Sequence, residues 1–99
     1  MIIGTLAKQP AEVLRVTVDY ASRFLTGTET ITSMTATTSP TTTTPLTALV
    51  LSAFPLTTAV ISVGGGDSGE SYLVTLRATT SFGQVLESEI AVACEEISL

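Results

Sequence analysis

The sequence predicts an all-β sandwich, and three observations carry that expectation. Tyr72, Val74, Leu76 and Ala78 alternate with Leu73, Thr75, Arg77 and Thr79, the period-two pattern of a half-buried strand. Nearly one residue in five is threonine, a β-branched side chain that suits pleated, half-exposed surfaces. No apolar stripe at helical spacing is long enough to fold as a helix. With 99 residues the chain has room for one core, so the expected organisation is a single domain over 1–99. Hydrophobic residues make up 44% of the chain but aromatics only 5%, with no tryptophan. The core must therefore be built from Val, Leu, Ile and Ala.

Taken in order, residues 1–7 form an apolar arm, either an edge strand of the fold or a segment held out for a partner. Lys8-Gln9-Pro10-Ala11 breaks it. Leu14, Val16, Val18 and Tyr20 then alternate with Arg15, Thr17 and Asp19, which makes a strand. The turn at Arg23–Thr28 places Phe24 and Leu25 to cap one end of the core. Between Glu29 and Thr37, Ile31 and Met34 are an odd number of residues apart, so a β-bulge near Ser33 is needed to bring both inside. Thr38–Pro45 holds two prolines and five threonines with no apolar residue, and reads as a flexible loop. Leu46–Phe54 is a strand with Leu49 and Leu51 on one face, ended by Pro55, since proline cannot donate to a ladder. Ala59, Ile61 and Val63 share a face of the next strand. After the central strand, Ser81-Phe82-Gly83-Gln84 is a tight turn in which Gly83 supplies positive φ. In the last strand Leu86, Ser88, Ile90, Val92 and Cys94 share one face, and Glu87 and Glu89 the other. Six strands are clear, and the arm would make a seventh.

Composition and motifs argue against chemistry. The net charge is -5, and Lys8, Arg15, Arg23 and Arg77 are too scattered to hold a phosphate backbone. Cys94 is the only cysteine, so no internal disulfide forms, and it is expected as a small hydrophobe in the last strand. The N-terminal apolar run is short and has no basic residue before it, unlike a signal peptide. No run approaches a membrane-spanning length. Folding in a cytoplasm is the expectation. Mean hydropathy is +0.51, so either the core is simply aliphatic or a partner covers apolar surface.

Gly64-Gly65-Gly66-Asp67-Ser68-Gly69 satisfies G-x-G-x-x-G, but a strand follows where a dinucleotide site needs a helix N-terminus. Glu70 stands where a phosphate-binding loop would carry lysine. Asp67 and Glu70 supply too few oxygens for calcium. Glu87 and Glu89 read as a solvated face rather than a catalytic pair. Without histidine or a cysteine pair, triads and zinc sites have no support. No catalytic, cofactor-binding or metal residue is expected, and no enzyme.

One motif survives. Asp67-Ser68-Gly69-Glu70-Ser71-Tyr72-Leu73-Val74 resembles the Asp-x-Gly-x-Tyr-x-Cys corner of immunoglobulin domains, with one extra residue before the tyrosine and Val74 in place of the cysteine. A tyrosine there pins the strand's entry through its hydroxyl, so Asp67 and Tyr72 are the expected structural corner. The fold class sharpens to an immunoglobulin-like antiparallel β-sandwich of about seven strands.

The whole order then resembles a family of small tailed-bacteriophage proteins with an immunoglobulin-like fold, the fiber-tail adaptors. The likeness runs through Lys8-Gln9-Pro10, Leu14-x-Val16-x-Val18-x-Tyr20, Phe24-Leu25-x-Gly27 and Glu29-Thr30-Ile31-Thr32-Ser33. It continues in Tyr72-x-Val74-Thr75-x-Arg77-Ala78-Thr79-Thr80-Ser81-x-Gly83. The resemblance implies a non-enzymatic virion component that joins tail, fiber or connector proteins and is homo-oligomeric in the particle. Nucleic acid and membrane are not among the implied partners. A capsid decoration or other immunoglobulin-like head protein is the alternative within the same class. Apolar residues that a small core cannot use are the expected interface: Ile2, Ile3 and Leu6 on the arm, and Phe54 and Leu56 beside Pro55.

Overall fold

The computed structural model describes residues 2–20, 27–52 and 57–96. Seven strands follow in chain order: β1 (Ile2–Lys8), β2 (Leu14–Asp19), β3 (Ile31–Ser39), β4 (Leu46–Ser52), β5 (Thr58–Gly65), β6 (Glu70–Thr80) and β7 (Val85–Cys94). They make a four-stranded sheet in the order β1-β7-β6-β3 and a three-stranded sheet in the order β2-β5-β4. Paired neighbours are antiparallel except β1, which runs parallel to β7. Strands two, five and four in one sheet and three, six and seven in the other is the arrangement of immunoglobulin constant-type domains. Here β1 joins the sheet of the last strand. The arm is thus an edge strand, in register from Gly4 opposite Ile90 to Lys8 opposite Cys94.

The inner faces follow from alternation. Tyr72, Val74, Leu76 and Ala78 of β6 meet Ala59, Ile61 and Val63 of β5 in one core, with Ile90, Val92 and Cys94 from β7. The register of β3 against β6 shifts between Ile31 and Ser33. That extra residue changes the phase, so Ile31 and Met34 both point inward. In β4 both alternating rows are aliphatic. Leu46, Ala48 and Val50 take the core side, and Leu49 and Leu51 share the outer face, where they are 64% and 44% exposed. Phe24 and Leu25 lie outside the described residues.

Polar groups inside this core are paired. The Tyr20 hydroxyl lies 3.2 Å from Ser88 Oγ. Burial raises the tyrosine's pKa, and the Ser88 bond offsets part of that rise. Lys8, the last residue of β1, is buried, and its Nζ donates to the carbonyls of Gln9 and Gly65, each at 2.6 Å. These bonds tie the end of β1 to the end of β5. Among the described residues no buried side-chain nitrogen or oxygen lacks a partner, which is how a small core carries polar groups without the penalty of stranding them.

Strand directions divide the connections between two poles. Residues 9–13, 40–45, 66–69 and 95–96 gather at one end, and residues 27–30, 57 and 81–84 at the other.

Candidate interaction surface

At the first pole a closed ring of hydrogen bonds joins two loops. The Asp67 N–H donates to the Tyr72 hydroxyl (2.8 Å). The Thr42 hydroxyl donates to the Thr44 carbonyl (2.9 Å), so the Tyr72 hydroxyl, 2.7 Å from Thr42 Oγ1, must donate to Thr42. The Thr44 N–H returns to Asp67 Oδ2 (3.0 Å). The threonine-rich segment is thereby fastened to the glycine-rich turn, because its hydroxyls supply the local bonds that its backbone cannot make in a ladder. Gly66 completes the packing. With φ at +94, a Cβ there would stand 3.0 Å from Cys94 Sγ and 3.2 Å from the Tyr72 ring, so only glycine fits.

Tyr72→Phe removes one hydroxyl from this ring and leaves the Asp67 N–H without its acceptor. The expected cost is about 1–3 kcal/mol, read by chemical denaturation; a variant as stable as the unaltered chain would show that the ring does not hold the turn. The Thr44 N–H also favours the charged carboxylate and holds Asp67 below its ordinary pKa. A depressed folded pKa contributes stability above the unfolded value of about 3.9, lost as pH falls through the lower folded value. The acid limb of the unfolding midpoint should therefore flatten in Asp67→Asn. An unchanged limb would remove Asp67 from the account.

At the opposite pole Glu29 is fully buried. The Thr80 hydroxyl donates to its Oε2, and the Gln84 amide lies 3.0 and 2.8 Å from its two oxygens. Thr80 Oγ1 in turn accepts from the Gln84 N–H (3.1 Å), and the Ser81 N–H donates to the Thr30 carbonyl (2.8 Å). The β6–β7 turn is therefore held from beneath, and it presents Phe82 and Val85, 57% and 58% exposed. The turn thus carries an uncovered aromatic and an uncovered aliphatic side chain on a hydrogen-bonded frame.

The residues singled out in the sequence fall apart in space. Asp67 and Tyr72 meet in the ring described above. Ile3 and Leu6 pack against the domain's own core, and Ile2 pairs through its backbone with Glu89. Phe54 and Leu56 lie outside the described residues. The burial of Glu29 and the exposure of Phe82, Val85, Leu49 and Leu51 emerge only from the structure. Glu29 had one faint signal, a lone carboxylate two residues before a strand, and nothing local points to its partners far along the chain.

Charge is unevenly placed. Glu12, Asp67, Glu70, Glu95 and Glu96 gather at the ring pole, and Lys8 there is turned inward toward carbonyls. A hollow of about 310 Å³ beside them is lined by Ala7 and Ala93 as well as by Lys8, Glu12, Glu95 and Glu96. Among the described residues no three of His, Cys, Asp or Glu converge to hold a metal ion. Arg77 faces Glu87 at 3.6 Å, an exposed pair worth little to stability.

The two sheets and their strand order define an immunoglobulin-like β-sandwich. The model of the family described as podophage GP4 fiber-tail adaptor protein gp77 matches residues 8–93, and the chain belongs to that family of phage structural proteins. No curated protein matches the chain. Among solved structures, the 2,6-sialyltransferase of Vibrionaceae Photobacterium sp. JT-ISH-224, in a ternary complex with CMP and lactose, aligns with 95% of this chain at a TM-score of 0.49 and 11% identity. The chain spans 18% of that protein's length.

Proposed function

We propose that the chain performs no reaction and serves in the virion as a link between tail and fiber proteins, made and folded in the host cytoplasm. The family match over residues 8–93 carries this reading. Phe82 and Val85, uncovered on a turn hydrogen-bonded from below, support it, because contact through a fixed turn loses little conformational freedom on binding. Partners in this reading are proteins. Among the described residues Lys8 is turned inward and Arg77 faces Glu87, with Arg15 exposed on β2, so no basic cluster forms there for nucleic acid or anionic lipid.

Phage lacking this gene should assemble tails that carry no fibers, seen by electron microscopy. Supplying the unaltered chain should restore fibers, and supplying Phe82→Asp should not. Fiber-bearing tails in the absence of the chain, or its location on the head, would overturn the reading.

A further inference from the structure

We propose that β4 is a docking edge whose occupant is β4 of a second copy of this chain, the two strands running antiparallel about a two-fold axis at Leu49. This goes beyond the adaptor reading and does not depend on it.

The two sheets have four edges, β1 and β3 in one and β2 and β4 in the other. An edge invites pairing unless charge, irregularity or cover blunts it. β2 carries exposed Arg15 and Asp19. β1 shifts register between Ile2 and Gly4 and ends in the buried Lys8. β3 is uncharged but shifts register between Ile31 and Ser33 and presents Thr35, Thr37 and Ser39. β4 also shifts register, between Val50 and Ser52, but it has no charge, proline or glycine and adds the outward Leu49 and Leu51.

The direction of its free hydrogen-bonding groups can be read from one contact. The Thr38 hydroxyl of β3 donates to the Leu46 carbonyl (2.8 Å), so that carbonyl points away from β5. Groups on alternate residues of an extended strand point the same way. The N–H and C=O of Ala48 and Val50 therefore face away from β5, along an edge that β3 of the other sheet touches at Leu46 and where no strand pairs with β4.

Two features select a second copy. In an antiparallel pair centred on Leu49, Ala48 stands opposite Val50 of the other chain and each bonds the other's N–H and C=O. Leu49 then meets its own counterpart at a non-hydrogen-bonded position, where side chains approach most closely. Such a pairing is isologous and closes on itself. The second feature is charge. Each chain carries -5, with Glu12, Asp67, Glu70, Glu95 and Glu96 at one pole. Antiparallel pairing sends the two acidic poles to opposite ends and brings only uncharged residues together.

Sedimentation equilibrium of the purified chain tests this. The unaltered chain should dimerise reversibly. Leu49→Lys should weaken the dimer at least tenfold, although it moves the net charge toward zero, and should keep the unfolding midpoint measured at concentrations where both are monomeric. Under oxidation Leu49→Cys should form a disulfide-linked dimer, and Thr37→Cys on the β3 edge should not. A chain that stays monomeric, a Leu49→Lys variant that dimerises as well, or equal cross-linking at Thr37 would each overturn the proposal. A monomer that pairs through β4 only with another virion protein would overturn it too, by showing a foreign occupant. The fiber phenotype of particles lacking the gene is a separate measurement, so either reading can fail alone.

Discussion

Leu76→Ala should cost about 2–5 kcal/mol of folding stability. Leu76 is fully buried in the strand with neighbours on both sides, opposite Ala36 of β3 and Ser88 of β7. Those flanking residues are small, so nothing close by can swing in to fill the space, and the cavity should persist. Domains of this size are typically stable by about 5–15 kcal/mol, so this one truncation removes a large share. At concentrations where the chain is monomeric, Leu49→Ala makes the matched control, because its side chain is mostly outside the core and its loss should fall within about 0.5 kcal/mol. Denaturant midpoints with unchanged slopes give both values. A Leu76→Ala cost under about 1 kcal/mol would mean that the facing sheets collapse onto the site.

Glu29→Ala is the second large effect, expected at about 3 kcal/mol. It strands the buried Thr80 hydroxyl and frees the exposed Gln84 amide to turn to water, and hydrogen bonds to charged groups are worth roughly 1.5–3 kcal/mol each. Glu29→Gln is the sharper comparison. Gln84 Nε2 lies within hydrogen-bonding distance of both carboxylate oxygens, so an amide at position 29 sets a donor against that donor and forces the Gln84 amide to flip or give up a bond. Its cost should therefore be substantial even though volume is kept. Amide exchange at Phe82 and Gln84 should quicken in both variants. If the alanine variant unfolds with the unaltered chain and exchange stays slow, the carboxylate does not hold the turn.

What could be read from the chain beforehand follows the reach of each signal. Alternation is local, so the inward rows of β2, β5, β6 and β7 were legible, as was the slip near Ser33, which the odd spacing of Ile31 and Met34 required. Gly83 takes φ of +81, as its turn demands. In β4 the pattern is silent on phase, because Leu46, Ala48 and Val50 are as apolar as Leu49 and Leu51. The sequence puts Lys8 at the break after the arm, and only in the fold do the carbonyls of Gln9 and Gly65 make its burial tolerable. Glu29 depends on Thr80 and Gln84, which no short window connects to it. Thr38–Pro45 reads as loop, yet Thr38 and Ser39 extend β3, and Thr42 and Thr44 bond to Tyr72 and Asp67, partners that no short window shows.

The parallel pairing of β1 with β7 has a mechanical side. The start of β1 lies at one pole and the end of β7 at the other, so tension drawn between those points pulls the neighbours in opposite directions along their length. The ladder from Gly4 opposite Ile90 to Lys8 opposite Cys94 is then loaded in shear, and its bonds must give way together. An antiparallel hairpin pulled at its open ends would instead unzip one bond at a time. Stretched along that line, the sandwich resists at its first and last strands before any other part of it feels the force.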